Sequence, residues 1–137
     1  SKMPDEENWE GITALCRQAV DKMLGFQMVH VGINCQSPEE AESVADMFDN
    51  AFGFAKKVGN SSVFASTCVE CMKQPFKGKM GHIAVATNSV KRAMYQLKAR
   101  GYTIDEQSIK GDAKGNPTVA YLKDDVGGFA VHLVLKR

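Results

Sequence analysis

No apolar run in this 137-residue chain approaches the roughly 20 residues that span a bilayer, and no secretion-signal pattern opens it. An excess of charge of one sign is also missing. The 17 Lys and Arg nearly balance the 16 Asp and Glu, so the net charge of +1 argues against nucleic acid or a membrane surface as a partner. The turn from Gly111 to Gly115 lacks the lysine-Ser/Thr pair of a phosphate loop, and no Ser-His-Asp arrangement is suggested. Cysteine is limited to four residues, Cys16, Cys35, Cys68 and Cys71. Without a secretion signal they are expected as reduced thiols, which points to a cytoplasmic location. Cys68 and Cys71 spell C-x-x-C, but the surrounding residues alternate like a strand, where side chains three apart diverge. A zinc knuckle would need a second such pair, and there is none. Structural thiols are the expectation.

What is present is enough for one domain with a proper core: a hydrophobic fraction of 44% and a charged fraction of 24% are those of a globular chain. Residues 4–24 read as an amphipathic helix, capped by Asp5 or Asn8, with Trp9, Ile12, Leu15, Cys16, Ala19, Val20 and Met23 at helical spacing and Gly25 after it. That helix must lie on something. Residues 26–35 then read as a strand. Ser37-Pro38-Glu39-Glu40 offers an N-cap, a proline at the first helical position and acidic residues in the first turn. The helix carries Ala41, Val44, Ala45, Phe48 and Phe52 up to Gly53, and strands follow at 54–58, 61–65 and 67–72.

The same order then recurs. A strand at 81–87 leads to a helix capped by Asn88 or Ser89, and strands follow at 102–109, 117–123 and 129–135. Two consecutive β-α-β-β-β units are legible, about 26–76 and 77–137, within an α+β domain spanning 26–137, and residues 1–25 form a linker helix ahead of it. Two copies of a unit this long fit a closed pseudo-symmetric pair better than an array.

Each unit places one ligand-type residue in its first strand, His30 and His82, and one in its last, Glu70 and His132. All three histidines of the chain are used by this pattern. A single histidine in a strand is more often a satisfied structural residue. Four such residues at corresponding places shift the balance toward a shared site. Three imidazoles and one carboxylate suit a divalent Zn, Ni, Fe, Mn or Co ion, with imidazole favouring the later metals.

The strand Val29-His30-Val31-Gly32-Ile33, the strand Gly81-His82-Ile83-Ala84-Val85 and the turn Asp124-Asp125-Val126-Gly127-Gly128-Phe129 resemble the vicinal oxygen chelate superfamily, which includes glyoxalase I, extradiol dioxygenases and methylmalonyl-CoA epimerase. The resemblance implies two βαβββ modules in a curved mixed sheet. It also implies a divalent metal held by His30, Glu70, His82 and His132, and a small oxygen-rich ligand. Glu70 would be the catalytic base if it leaves the metal, with His132 the weaker alternative. The glyoxalase I pattern has glutamate in both last strands, so His132 disfavours that reaction and leaves another metal-dependent lyase or isomerase activity open.

A narrower likeness covers the whole chain. Asn8-Trp9-Glu10-Gly11-Ile12-Thr13, Gly59-Asn60-Ser61-Ser62 and Gly127-Gly128-Phe129 are similar to the C-terminal extension of bacterial bifunctional 4-hydroxy-2-oxoglutarate / 2-dehydro-3-deoxy-phosphogluconate aldolases. It implies an aldolase barrel as partner and a 2-oxo acid or sugar acid as ligand, for which Lys56, Lys57, Lys73, Lys77 and Lys79 stand near the expected mouth. The alternative is a noncatalytic module that binds a ligand or assembles subunits. A homodimer is expected on either view, because the front helix and open sheet edges need cover.

Overall fold

The computed structural model describes the backbone from residue 6 and side chains from residue 9 to the C-terminus. Helix α1 (Glu6–Leu24) comes first. The first unit contains β1 (Gln27–Asn34), α2 (Pro38–Phe52), β2 (Lys56–Val58), β3 (Ser62–Ala65) and β4 (Val69–Met72). The second contains β5 (Gly81–Thr87), α3 (Val90–Ala99), β6 (Ile104–Gly111), β7 (Pro117–Leu122) and β8 (Phe129–Leu135). Both expected βαβββ units are therefore formed. Because α1 already contains Asn8, that residue is not its cap, and Asp5 lies outside the described residues.

Local chemistry explains most boundaries. Ser37 caps α2 by accepting from the Glu40 amide at 3.1 Å, and the Glu40 carboxylate accepts from the Gln36 amide. Gly53 closes α2 in the left-handed conformation, with φ of 71°. Ser89, not Asn88, caps α3. The strand expected at 54–58 begins only at Lys56, since Phe54 packs with Phe48 and Phe52 instead of joining the ladder. The strand expected at 67–72 begins at Val69, after a turn that leaves Cys68 half-buried while Cys71 is buried in β4; all four thiols are free.

All eight strands form one sheet in the order β2-β3-β4-β1-β5-β8-β7-β6. The two units meet where β1 runs antiparallel to β5. Within each unit the first strand pairs parallel with the last, β1 with β4 and β5 with β8. The helices lie on one face: α2 packs on β3 and β4, and α3 on β7 and β8. Alternation along the strands sends Val63, Ala65, Val69 and Cys71 into a core under α2, and Ile104, Ala120 and Leu133 into another under α3. The residues between them face the other side of the sheet.

The C-terminal end of α1 is tied to the second unit. Thr87 Oγ donates to the Leu24 carbonyl at 2.8 Å, Asn88 Nδ2 donates to the Met23 carbonyl, and Arg100 pairs with Asp21 at 2.7 Å. From Trp9 to Ala19 the helix is exposed all round. Among the described residues, no helix is long and apolar enough to cross a membrane.

Candidate metal centre

The pairing between β1 and β5 sets the site. His30 stands opposite Ala84, and His82 stands opposite Gly32. The parallel ladders continue these rows, with Glu70 beside Gly32 and His132 beside Ala84. A twofold relation thus exchanges His30 with His82, Gly32 with Ala84, and Glu70 with His132. Cross-strand partners share a face, so all four side chains stand on the face away from the helices.

Three of them meet tightly. His82 Nε2 lies 3.0 Å from His30 Nε2 and 3.0 Å from Glu70 Oε2, and His30 Nε2 lies 3.2 Å from the same oxygen. His132 stands further off: the three imidazoles together offer nitrogens within 4.8 Å of one another. The small residues make this approach feasible. A Cβ built on Gly32 would fall 1.9 Å from His82 Cε1, so the ring of His82 occupies the space that any other residue at that position would fill. Gly32, buried in a central strand, was not singled out from sequence as part of the site, although a glycine inside a strand is a known sign of close approach.

Two other contacts also escaped sequence reading. Ser62 is buried, and its hydroxyl donates to Glu70 Oε1 at 2.9 Å, which leaves Oε2 for the imidazoles. The Tyr121 ring packs against His132 with centroids 4.7 Å apart and planes tilted by 37°, and the Lys77 ammonium sits 5.2 Å from the centre of the Tyr121 ring. Nothing local in the sequence marks either residue, since both contacts come from neighbouring strands.

The charge states suit a cation. Burial opposes ionisation of Glu70, but hydrogen bonds with His30, His82 and Ser62 outweigh it and hold the carboxyl well below the usual range. Burial pushes the His132 imidazole down to about 4, helped by His82 and His30 and opposed by its bond to the Leu133 carbonyl. That bond, 3.1 Å from Nδ1, places the proton on Nδ1 and leaves the Nε2 lone pair free, the usual support of a ligating histidine. His82 Nδ1 is buried without a partner, so this ring is held in polar contact only through Nε2, the atom facing the cluster. Ligand atoms about 2.1 Å from one ion lie about 3.0 Å apart at right angles and about 3.4 Å apart at the tetrahedral angle. The triangle of His30, His82 and Glu70 falls in that range, so these donors fit a transition metal of this size.

A pH dependence follows for the metal-free protein. An unfolded chain protonates His132 near pH 6.5, whereas the folded chain does so only near 4. The stability tied to neutral His132 is complete above pH 6.5 and is lost as pH falls to about 4, on the order of 3 kcal/mol. The share tied to ionised Glu70 is lost at lower pH, below the ordinary carboxylate range. Urea unfolding of the metal-free protein at pH 7 and 4.5 should show the first loss, and His132→Gln should flatten it. Equal pH slopes for both proteins would contradict this assignment.

The site opens into a cleft of about 1160 Å³. Of the lysines expected at the mouth, Lys73 and Lys77 line it, while Lys56 is instead paired with Asp46 at 2.7 Å. Lys57 and Lys79 lie outside the lining, and Lys110, not anticipated, joins it. Lys77 is met there by Asp105 at 3.3 Å.

No protein-family model and no curated protein sequence matches the chain. Solved structures do. A hypothetical protein from Bacillus halodurans C-125 aligns with a TM-score of 0.56 at 16% identity, over 82% of this chain and 95% of its own. Methylmalonyl-CoA epimerase from Mycobacterium tuberculosis aligns with 0.56 at 11% identity, over 84% and 90%. A methylmalonyl-CoA epimerase in complex with methylmalonyl-CoA and NH4+ aligns with 0.55 at 15% identity, over 80% and 94%. Identities this low speak to architecture alone, and the architecture is clear: the chain has the vicinal oxygen chelate fold.

Proposed function

We propose that the chain binds one divalent metal through His30, Glu70, His82 and His132 and acts on a small molecule with adjacent oxygens. The observation that carries this reading is the convergence of His30, His82 and Glu70 at 3.0–3.2 Å, with a third imidazole close by. The donor set favours Zn, Ni, Fe, Co or Mn. When bound, such an ion polarises a carbonyl oxygen and eases loss of a neighbouring proton.

The residues of the chain supply the rest. Glu70 is the group placed to take that proton. Held by three hydrogen bonds it is a poor base, so it must first be released from the imidazoles, with Ser62 keeping hold of Oε1. The lysines lining the cleft, Lys73, Lys77 and Lys110, favour an acid such as a 2-oxo acid or sugar acid. The methylmalonyl-CoA named for a fold neighbour is a further candidate class.

The test uses 2-oxobutyrate in D2O with the metal-loaded protein. Metal-dependent exchange of the proton beside the carbonyl is expected, reduced about 100-fold in Glu70→Gln at saturating metal. Bound metal without any exchange, over a panel of 2-oxo acids and acyl-CoA esters, would refute the catalytic reading. It would favour the second one, a noncatalytic module that binds a ligand or assembles subunits, which the exposed apolar face of α1 supports independently. Nothing in the comparisons supports the association with an aldolase barrel, and a homodimer belongs to either reading.

A further inference from the structure

Part of the segment between the two units, from Lys73 to Lys77, walls the cleft, and it is held in place. The Asn34 side chain clamps it from β1: Oδ1 accepts from the Phe76 amide at 3.1 Å, and Nδ2 donates to the Gly78 carbonyl at 2.9 Å. Gly78 turns the chain in the left-handed region, with φ of 83°, where a Cβ would fall 2.0 Å from the Gly81 carbonyl oxygen. Lys77 stands between these two fixed residues. Its ammonium lies 5.2 Å from the centre of the Tyr121 ring, one aromatic ring away from His132. Asp105 meets the same ammonium at 3.3 Å, with side chains 37% and 33% exposed. Asp105 is placed by a brace of its own. Where β6 and β7 lose register, Ser108 Oγ donates to the Asp105 carbonyl at 2.6 Å and accepts from the Tyr121 amide at 2.8 Å.

We infer that the ligand of this cleft carries a second carboxylate, remote from its adjacent oxygens, and that Lys77 binds this carboxylate in exchange for Asp105. The inference rests on the metal reading and names the ligand class within it: a 2-oxo diacid. Three observations carry it. Lys77 is one ring removed from the donor cluster, so it answers a charge at the far end of a ligand, not at the chelating end. Its pair with Asp105 is partly exposed, and such pairs add little to stability, so a ligand carboxylate can take the place of Asp105. The cleft, at about 1160 Å³, exceeds the roughly 300–1,000 Å³ of ordinary ligand pockets, so a three-carbon 2-oxo acid would leave most of it empty. The other two lysines of the lining are less suited. Lys73 already donates to the Gly59 carbonyl at 2.7 Å, and Lys110 is exposed.

The test is calorimetric titration of the Zn-loaded full chain with oxalate and with two five-carbon acids that share one head, 2-oxoglutarate and 2-oxopentanoate. Oxalate, two adjacent oxygens without a tail, tests the metal reading by itself. If it binds no better with Zn than without, that reading falls, and this inference with it. Given oxalate binding, 2-oxoglutarate should bind about tenfold tighter than 2-oxopentanoate, the worth of one charge-assisted contact. Lys77→Met should shrink this preference below about twofold, and Asp105→Asn, which releases Lys77, should widen it about threefold. Lys79→Met removes the same charge outside the cleft lining and should leave the preference intact. Equal affinities for the two acids, with oxalate still bound, would overturn the inference alone. So would a preference that survives Lys77→Met, one erased by Lys110→Met or Lys79→Met, or one narrowed by Asp105→Asn.

Discussion

His82→Ala is expected to abolish divalent-metal binding while leaving the fold in place. The His82 ring is the hub of the cluster, with Nε2 at 3.0 Å from both His30 and Glu70. Without it only the contact between His30 and Glu70 remains of the tight triangle. The expected loss is at least about 100-fold in affinity, because supporting residues alone are worth about 10- to 100-fold. Thermal unfolding gives a second readout. At a free metal concentration about 100 times the dissociation constant, binding stabilises the native state by about 2.7 kcal/mol, a rise of about 10 °C for a domain of this size. That rise should appear for the wild type with Zn or Ni and vanish for His82→Ala. Because His82 Nδ1 has no buried partner to abandon, circular dichroism of the metal-free variant should match the wild type. Elemental analysis showing one tightly held metal per chain in His82→Ala would remove this ring from the site.

Gly32→Ala is expected to be nearly as severe, by a purely steric route. The backbone at Gly32 is not in the left-handed region, so alanine meets no conformational penalty there. Its methyl group would instead fall 1.9–2.5 Å from three atoms of the His82 ring. The strand cannot give way, since β1 is bonded to β4 on one side and β5 on the other. The ring must leave its place, with loss of metal binding and a destabilisation of about 2–3 kcal/mol. The decisive measurement is a double-mutant cycle in urea. If the clash is with His82, Gly32→Ala in a His82→Ala background should cost much less, because the space it needs is then empty. Additive costs would mean that the strand, not the ring, suffers from the methyl group.

Several features were legible in the chain before any coordinates. Ser37-Pro38-Glu39-Glu40 marks a helix start through side-chain capping, and Ser89 does the same in the second unit. Alternation at His30, His82, Glu70 and His132 flags four inward positions, because neighbours on a strand must face opposite ways. Their recurrence in the first and last strands of both units made the site visible as a set. Strand ends were less legible. Phe54 looks like a strand residue by type, yet packing against Phe48 and Phe52 takes it out of the ladder. Lysine positions were poorly legible for a related reason. A lysine near a turn can reach several places, and only the cleft wall distinguishes Lys73, Lys77 and Lys110 from Lys56.

The sequence alone determined the repeated βαβββ order, the cap at Ser37 and the absence of a membrane-spanning run, and it pointed to four candidate donor residues, since each rests on chemistry within one or a few turns of chain. Only the tertiary structure decided which donors touch. Register between β1 and β5 is what sets His82 over Gly32 and against His30, residues 52 positions apart in the chain. The pairing of β7 with β8 sets Tyr121 beside His132, and the pairing of β3 with β4 gives Glu70 its brace from Ser62. No local pattern encodes such distances. They arise when two separately capped units close about β1 and β5, and the small residues at positions 32 and 84 let the imidazoles meet.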